Sequence, residues 1–546
     1  MNHVPSPDRT RRGPSRTPRP RRERTWLASA AFAAVPLVSL APVGAPAAHA
    51  DVVPGPGSEE LVERIEEALD DPALEGATSG VLVEDPDTGE VLHGDETGTP
   101  LLPASNMKMF TAAAALEALG PDHTFETRVV AENRDGAPAS VEDLHLVGGG
   151  DPTLSAGDID TLAAEVADAG VETVEGDLLA DDSRFDGQRL VDDWWEEDEP
   201  FAYGAQISAL TVAHGDRFDT GVTAVAVEPA DEGEAVTVDL GAADGYAEID
   251  NSAETGAPGS EDTLRIDRPT GTNTIEVTGS LPADAGPVEE LRTVDEPAGL
   301  AGHLFAVALE EHGVEVQGGL QYGQLPGDWD DPLDLAGHTS PELAEVLVPF
   351  MKFSNNAHAE MLVKEMGREA SGEGSWEAGL AELGSVLDDI GVDTAGLELN
   401  DGSGLSRSNL VTASTVSDLL VQARGTEWSD NFRASLPVAG DEDPFVGGTL
   451  SERMTESAAE GVLAAKTGTL SGVSALSGYV PAPDGGELVF SIVNNGHEGS
   501  APTHVQDAIG IAVAEHLGHE ADSGTAPLRA GESPGGGTEC SWSGTC

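Results

Sequence analysis

Two of the four lysines in the chain stand where they could do chemistry. Lys108 follows Ser105 by three residues, a spacing that places both side chains on one face of a helix. A serine hydroxyl becomes a nucleophile when a neighbouring group takes its proton. A neutral lysine can do so if burial and a second cation lower its pKa. Alone the pair is weak evidence, because Ser105 could equally be an ordinary N-cap.

Two further motifs supply the other groups that such a serine needs. Lys466-Thr467-Gly468-Thr469 begins on a predicted strand, and Lys466 is a candidate for the second cation, although this motif alone could be a plain strand end. Ser354-Asn355-Asn356 precedes a predicted helix, with a hydroxyl for proton relay and an amide that can hold a substrate amide. The order S-x-x-K, S-x-N, K-T-G is the triple signature of penicillin-binding proteins and class A β-lactamases.

With these motifs the chain resembles the class C low-molecular-mass penicillin-binding proteins, the D-alanyl-D-alanine carboxypeptidase/endopeptidases. It looks especially like the secreted actinomycete DD-peptidases. That class carries a large insertion between the first two motifs, and here residues 109–353 separate them. Three other stretches, 148–154, 203–210 and 401–406, also resemble the family, and the resemblance covers about residues 58–517. Asn355 stands where many members have Asp.

The resemblance implies a serine peptidase that cleaves peptidoglycan stem peptides through an acyl-enzyme at Ser105, without cofactor or metal. Lys108 would accept the serine proton, and the backbone N–H groups of Ser105 and Thr469 would bind the oxyanion. β-Lactams would acylate the same serine and leave slowly. The implied catalytic residues are Ser105, Lys108, Ser354, Asn356 and Lys466, and the implied binding residues of the third motif are Thr467, Gly468 and Thr469.

The family also implies a side pocket for the cationic end of a diaminopimelate-type side chain. Asp198 fits that role, because a carboxylate would meet an ammonium group. The alternative is that Asp198 is one charge in a solvated acidic run from Glu196 to Glu199. The residues that map to this pocket are Trp195, Asp198, Tyr203, Ser403 and Leu405.

Two other functions stay open. A β-lactamase on the same fold would need a positioned base for deacylation, and no E-x-x-L-N-like element lies between the first two motifs. A catalytically silent wall-binding homologue predicts a degenerate signature, whereas this one is intact. Two other motifs are weak evidence of function. Residues 531–535 match the G-x-S-x-G nucleophile motif but lie in a predicted tail. His358-Ala359-Glu360 matches half of the zinc deaminase signature but lacks its cysteine partner.

The elements that must position these motifs can be predicted from periodicity and turn signals. A hairpin is predicted over 79–94, a helix over 105–119, helical structure over 341–366, and a closing helix over 501–517. Three successive strands are predicted over 462–466, 473–480 and 488–494. The front hairpin and these strands would close one sheet, with the β-rich residues 125–320 inserted.

The predicted fold class is therefore mixed α+β or α/β. It combines a β-lactamase/transpeptidase-like domain, an antiparallel sheet flanked by helices, with an inserted β-rich region of one or two smaller domains. The predicted divisions are a signal peptide (1–50), a discontinuous penicillin-binding transpeptidase-like catalytic domain (51–125 and 325–518), inserted domain II (126–212 and 302–324), inserted domain III (213–301) and a disordered tail (519–546).

The composition limits the possible binding partners, and the N-terminal residues predict where the protein is located. The net charge of −72 excludes a nucleic-acid backbone binder, which needs a basic face, and argues against docking on anionic lipid. An Arg-rich start, an apolar run and Ala48-His49-Ala50 predict a cleaved signal peptide and a secreted, cell-wall-associated protein without an integral membrane segment. A retained anchor is the alternative. Cys540 and Cys546 could pair if the compartment is oxidising.

Overall fold

The computed structural model describes residues 58–132, 139–327, 329 and 332–521. The predicted signal peptide, the 531–535 motif, both cysteines and nearly all of the predicted tail lie outside these residues. Within them, no helix has the length and apolar character needed to cross a bilayer.

The described helices and strands follow in chain order. The α-helices are α1 (Glu59–Leu69), α2 (Met107–Leu119), α3 (Ala156–Asp168), α4 (Pro297–Glu311), α5 (Leu343–Lys352), α6 (Asn356–Ser371), α7 (Trp376–Ile390), α8 (Ala413–Ala423), α9 (Ser429–Ser435), α10 (Pro444–Gly447) and α11 (Thr503–His516). The first strands are β1 (Thr78–Asp85), β2 (Glu90–Asp95), β3 (Glu126–Ala131), β4 (Ser140–Val141), β5 (Leu144–Val147), β6 (Thr173–Val174), β7 (Leu178–Asp181), β8 (Ala213–His214), β9 (Asp219–Thr220), β10 (Val222–Glu228) and β11 (Thr237–Asp239). The remaining strands are β12 (Glu248–Asn251), β13 (Glu254–Gly256), β14 (Arg265–Asp267), β15 (Thr274–Thr278), β16 (Ser280–Pro282), β17 (Val288–Thr293), β18 (Glu315–Val316), β19 (Leu320–Tyr322), β20 (Leu333–Thr339), β21 (Ala464–Leu470), β22 (Val473–Pro481) and β23 (Glu487–Asn495).

The central sheet joins the front and the back of the chain. Its antiparallel strand order is β2-β1-β23-β22-β21, which confirms that the first hairpin and the last three strands form one sheet. Side chains alternate across it: Val489 joins the core with α2 and α5–α8, whereas Phe490 joins the core with α1 and α11. The sheet is therefore covered by helices on both faces, with β21 at an open edge.

Helix α2 runs through the centre of the larger core. Every residue from Met107 to Leu116 is buried, and the run of alanines after Thr111 lets neighbouring helices pack closely. The predicted helix start at Ser105 is instead a 3₁₀ turn over Ala104–Asn106, and α2 begins at Met107. Ser105 thus lies at the junction between a tight turn and a fully buried helix.

The helical structure predicted over 341–366 divides into α5 and α6. Ser354 lies in the break with φ +58°, a left-handed conformation that is uncommon for a residue with a side chain. Asn355 then caps α6, because its side-chain oxygen accepts the backbone N–H of His358. The break turns Ser354 out of the helical path, at the point where the second motif begins.

The inserted region has its own sheets and cores. A mixed sheet of order β19-β7-β5-β3-β20 packs against α3 and α4, and a separate core gathers side chains of β10, β11, β14 and β15. The mixed fold with added β-rich layers confirms the predicted fold class. Helix α4 runs across the predicted limit at 302, and β20 pairs with β3 although 325–518 was assigned to the catalytic domain. The domain limits stay a prediction.

Candidate active site

The first motif forms the contact that its spacing suggests. Lys108 lies in the first turn of α2, completely buried, and its Nζ is 2.7 Å from Ser105 Oγ. Because Ser105 lies about one turn before Lys108, in the 3₁₀ turn that leads into α2, the amine lies directly beside the hydroxyl.

Two carbonyl oxygens also contact the Lys108 amine. Nζ lies 2.6 Å from Asn356 Oδ1 and 2.9 Å from the backbone oxygen of Ser403. The Asn356 amide is itself oriented, since its Nδ2 donates to the backbone oxygen of Tyr203 at 2.9 Å. One α6 side chain and one loop carbonyl therefore help to hold the amine beside the serine.

The second and third motifs meet at Ser354. Lys466 is fully buried, and its Nζ donates to Ser354 Oγ at 2.8 Å and to the backbone oxygen of Thr467 at 2.9 Å. Asn106, next to the serine of the first motif, donates through Nδ2 to the Lys466 carbonyl at 2.9 Å. All three motifs are thus joined by direct hydrogen bonds, although residues 109–353 separate the first from the second.

Strand β21 presents its outer edge to the serine turn. Ala465 N–H bonds outward to the Pro437 carbonyl, and since the pattern alternates along a strand, Thr467 and Thr469 direct their N–H groups to the same edge. A Cβ on Gly468 would lie 2.9 Å from the Pro103 carbonyl oxygen and 3.1 Å from Ser105 N, so a larger residue here would force the serine turn to shift. Thr467 Oγ1 contacts Thr449 Oγ1 at 2.8 Å.

The loop 401–406 is held from below by two buried carboxylates. Glu360 accepts the N–H groups of Gly402 and Ser403 at 3.0 and 2.8 Å, and Asp401 accepts those of Gly404 and Ser406 at 2.7 and 2.6 Å. Burial, together with the neighbouring Asp401, raises the pKa of Glu360 above its usual range.

A cavity of about 470 Å³ opens in front of Ser105. Four residues of the predicted side pocket line it together with the serine, namely Trp195, Asp198, Tyr203 and Leu405. Ser403 differs from them: it is fully buried, and the contact it makes with the site is its carbonyl bond to Lys108. Ser354, Asn356 and Thr469 also line the cavity.

Asp198 lies in a short 3₁₀ turn at the rim of this cavity. Its Oδ1 accepts the Tyr203 hydroxyl at 3.0 Å, and burial raises the pKa of its carboxyl, an effect that the hydrogen bond opposes. Burial and the Asp198 carboxylate in turn raise the pKa of Tyr203, which keeps the phenol as a hydrogen-bond donor. Its neighbours Glu196 and Glu197 are exposed, whereas Asp198 is partly buried and faces the cavity.

The structure also brings residues to the cavity that the motifs did not indicate. The Arg407 guanidinium lies 4.5 Å from the Trp195 ring centroid and donates to the Ser471 carbonyl at 3.2 Å. Arg217, at the tip of the β8–β9 hairpin, stacks 4.8 Å over the Phe353 ring. These arginines belong to none of the three motifs, although Arg407 directly follows the 401–406 stretch.

The same hairpin is fixed to α6 through a single carbonyl oxygen. The Phe218 oxygen lies 3.2 Å from Asn355 Nδ2 and 2.8 Å from His358 Nε2, and Phe218 has the left-handed φ of +56°. Burial lowers the pKa of His358 to about 4, so the imidazole is neutral and donates through Nε2. The described residues contain no group of three His, Cys, Asp or Glu side chains arranged to hold a metal ion.

Comparison with known proteins places this site in a family. Residues 61–516 match the D-Ala-D-Ala carboxypeptidase 3 (S13) family. The chain is 63% identical over 518 residues to a D-alanyl-D-alanine carboxypeptidase of Actinomadura sp. (strain R39), covering 95% of this chain and 96% of that protein. It is 31% identical over 456 residues to carboxypeptidase DacB of Mycolicibacterium smegmatis, covering 81% of each. The solved structure of penicillin binding protein 4 from Haemophilus influenzae shares the fold, with a TM-score of 0.72 at 24% identity over 83% of this chain and 99% of that chain.

Proposed function

Because the chain belongs to the D-Ala-D-Ala carboxypeptidase 3 (S13) family and is a serine D-alanyl-D-alanine carboxypeptidase, we propose that Ser105 is its nucleophile and Lys108 the proton acceptor. The observation that carries this assignment is the 2.7 Å contact between Ser105 Oγ and Lys108 Nζ at the base of the cavity. Two carbonyl oxygens hold the amine in that position.

Acylation begins when Ser105 Oγ attacks the carbonyl carbon of the penultimate D-alanine and its proton passes to neutral Lys108. The substrate oxygen becomes an oxyanion between the N–H groups of Ser105 and Thr469, which the close approach at Gly468 brings to one place. Collapse of this intermediate breaks the peptide bond and forms an ester on Ser105. The departing D-alanine amine takes a proton through Ser354.

Lys466 and the threonines of β21 bind the terminal carboxylate in this mechanism. A positive charge and two hydroxyl groups along an open strand edge suit a carboxylate at the end of an extended peptide. Asn356 binds the substrate amide, and a water molecule then hydrolyses the ester and frees Ser105. β-Lactams, whose carbonyl takes the place of the scissile one, acylate the same serine.

The substrate is a peptidoglycan stem peptide, and its side chain carries a free amine of the diaminopimelate type. The partly buried Asp198 carboxylate at the cavity rim supports this part of the proposal, with Trp195, Tyr203 and Leu405 around it. Because such stem peptides lie outside the cytoplasm, the protein would act there, in keeping with the signal peptide predicted for residues 1–50.

Covalent labelling tests the nucleophile. Ser105→Ala is expected to abolish labelling by a fluorescent penicillin and to lower D-alanine release from a D-Ala-D-Ala peptide by at least about 10³-fold. Ser408→Ala, an exposed serine of a nearby loop, serves as the matched control and should label normally. Labelling that persists in Ser105→Ala would refute the assignment, and rapid turnover of penicillin by the wild type would indicate a β-lactamase.

A further inference from the structure

The inserted region contains a fully buried arginine to which the proposed mechanism gives no role. Arg268 follows β14, and its Nη2 donates to Glu199 Oε1 at 2.8 Å while its Nη1 donates to the Thr272 carbonyl at 2.6 Å. The Thr293 hydroxyl accepts Nη2 at 2.9 Å and Nε at 3.2 Å. A buried charge is unfavourable unless it is paired and hydrogen-bonded, and the directional bonds of such a pair fix one arrangement of its groups.

The chain on either side of Glu199 is held as well, because a short segment follows the outer edge of β17. This strand is the last of the sheet β11-β10-β17. The Glu199 carbonyl accepts the Thr293 hydroxyl, and the Pro200 carbonyl accepts the Thr293 N–H at 3.1 Å. Phe201 forms an antiparallel bridge with Arg292, whose guanidinium lies 5.2 Å from the Phe201 ring centroid. Three consecutive residues are therefore attached to one strand of the inserted region.

The same segment carries Asp198 and Tyr203, two residues of the proposed side-chain pocket. The Phe201 ring stacks on the Tyr203 ring, with centroids 5.6 Å apart and planes 5° apart. The Asp198 carbonyl accepts the Phe201 N–H at 3.1 Å, and its carboxylate accepts the Tyr203 hydroxyl at 3.0 Å. A Cβ on Gly204 would lie 2.2 Å from the Asp198 carbonyl oxygen, so the chain returns directly against this residue. The position of Asp198 therefore depends on the attached residues that follow it.

We propose that Arg268 and Thr293 are positioning residues, which hold the Asp198 carboxylate at the rim of the cavity by anchoring Glu199. Both lie outside the lining of the described cavity, so they act on substrate selectivity only through the segment that carries Asp198. The inference rests on the proposed binding of a side-chain amine by Asp198. It gives the core of the inserted β-rich region a part in selecting the substrate.

Thr293→Val tests this role by removing a single hydroxyl group. The Glu199 carbonyl and the Arg268 guanidinium both lose a partner, although valine has nearly the same shape. The measured quantity is the selectivity ratio, which is kcat/KM for a stem peptide with a free side-chain amine divided by kcat/KM for its N-acetylated form. We expect this ratio to fall about 3- to 10-fold, while the rate constant of acylation by benzylpenicillin stays within about twofold of the wild-type value.

Two further variants separate positioning from a general loss of stability. Thr293→Ser keeps the hydroxyl group and should retain the wild-type ratio. Thr255→Val is the matched control, since this buried threonine of β13 accepts the Ala230 N–H at 2.9 Å instead of bonding to the segment that carries Asp198. It should lower thermal stability and leave the selectivity ratio unchanged.

The outcomes are distinct. If the wild type prefers the free amine but Thr293→Val keeps that preference, or if Thr255→Val lowers it equally, the positioning role is wrong while the proposed function stands. If the wild type is not acylated or cleaves both peptides equally well, the proposed function fails at Ser105 or at Asp198, and the positioning role fails with it.

Should Thr293→Val not fold, Arg268→Lys decides. Lysine keeps a positive charge opposite Glu199 but lacks the planar fork of donors that also reaches Thr293 and Thr272. A fall of the selectivity ratio by about threefold or more supports the role, and an unchanged ratio overturns it.

Discussion

The floor of the cleft rests on regular elements, whereas its outer wall rests on turns. We define the floor as Ser105, Lys108, Asn356, Ser403 and Lys466, which are buried or partly buried and joined to α2, α6 or β21 by hydrogen bonds. The outer wall, residues 193–219, contains two 3₁₀ turns and the two-residue strands β8 and β9, and it is exposed at residues 195–197 and 215–216. The floor can therefore carry the chemistry, which needs fixed geometry, while the outer wall can supply substrate selectivity, which loops are able to provide.

The largest effect is expected at the floor. Lys108→Ala removes the proton acceptor and should lower the rate constant of acylation by penicillin by at least about 10³-fold, which stopped-flow mixing can measure. Lys352→Met is the matched control, since this buried lysine donates to the backbone carbonyls of Leu436 and Val446 and lies outside the cavity lining. A loss below tenfold in Lys108→Ala would mean that the floor does not hold the base.

The hydrogen bond between His358 of α6 and the Phe218 carbonyl connects the outer wall to the rest of the site. We expect it to make the free energy of unfolding depend on pH. Burial lowers the pKa of His358 to about 4 from 6.5, so the unfolded chain binds the extra proton first as the pH falls. The histidine therefore lowers the free energy of unfolding by about 3 kcal/mol between pH 8 and pH 4. His358→Gln keeps a donor for the Phe218 carbonyl but cannot titrate in this range. Its free energy of unfolding, measured by denaturant melts, should therefore fall less between pH 8 and pH 4 than that of the wild type. Parallel pH curves for the two proteins would contradict this.

The smallest effect is expected for Asp198 in the outer wall, and it concerns which substrate the enzyme prefers. Asp198→Asn should lower kcat/KM by about 10- to 100-fold for a stem peptide with a free side-chain amine, but little for its N-acetylated form. Glu197→Gln, the exposed neighbour, is the control. Because burial raises the pKa of Asp198, the wild-type preference for the amine should fade, as the pH falls, at a higher pH than an exposed aspartate would give. Equal losses on both peptides would favour the solvated-run interpretation.

Much of the catalytic centre could be predicted from sequence, because side-chain chemistry at fixed spacing leaves a pattern. Ser105, Lys108, Ser354, Asn356 and Lys466 carry residue types that acyl transfer needs, and the structure brings all five together. The central sheet was predictable as well, since its strands are apolar runs bounded by turn residues.

The other features of the site depend on backbone geometry, which cannot be predicted from the residue types alone. The break at Ser354 fell inside a predicted helical stretch, because nothing in its flanking residues marks a left-handed φ. Ser403 was predicted to line the side pocket, yet its contribution is a carbonyl group that any residue possesses. Glu360 appeared as half of an unrelated motif, whereas in the structure it accepts the N–H groups of Gly402 and Ser403, residues more than forty positions away.

Two glycines enclose the turn that carries the nucleophile, one on each side. A Cβ on Gly404 would overlap the Ala104 carbonyl, and a Cβ on Gly468 would come within 2.9 Å of the Pro103 carbonyl. A side chain at either position would therefore displace the turn and move Ser105 out of place, so a substitution that blocks a bulky inhibitor there should also impair the enzyme's own reaction.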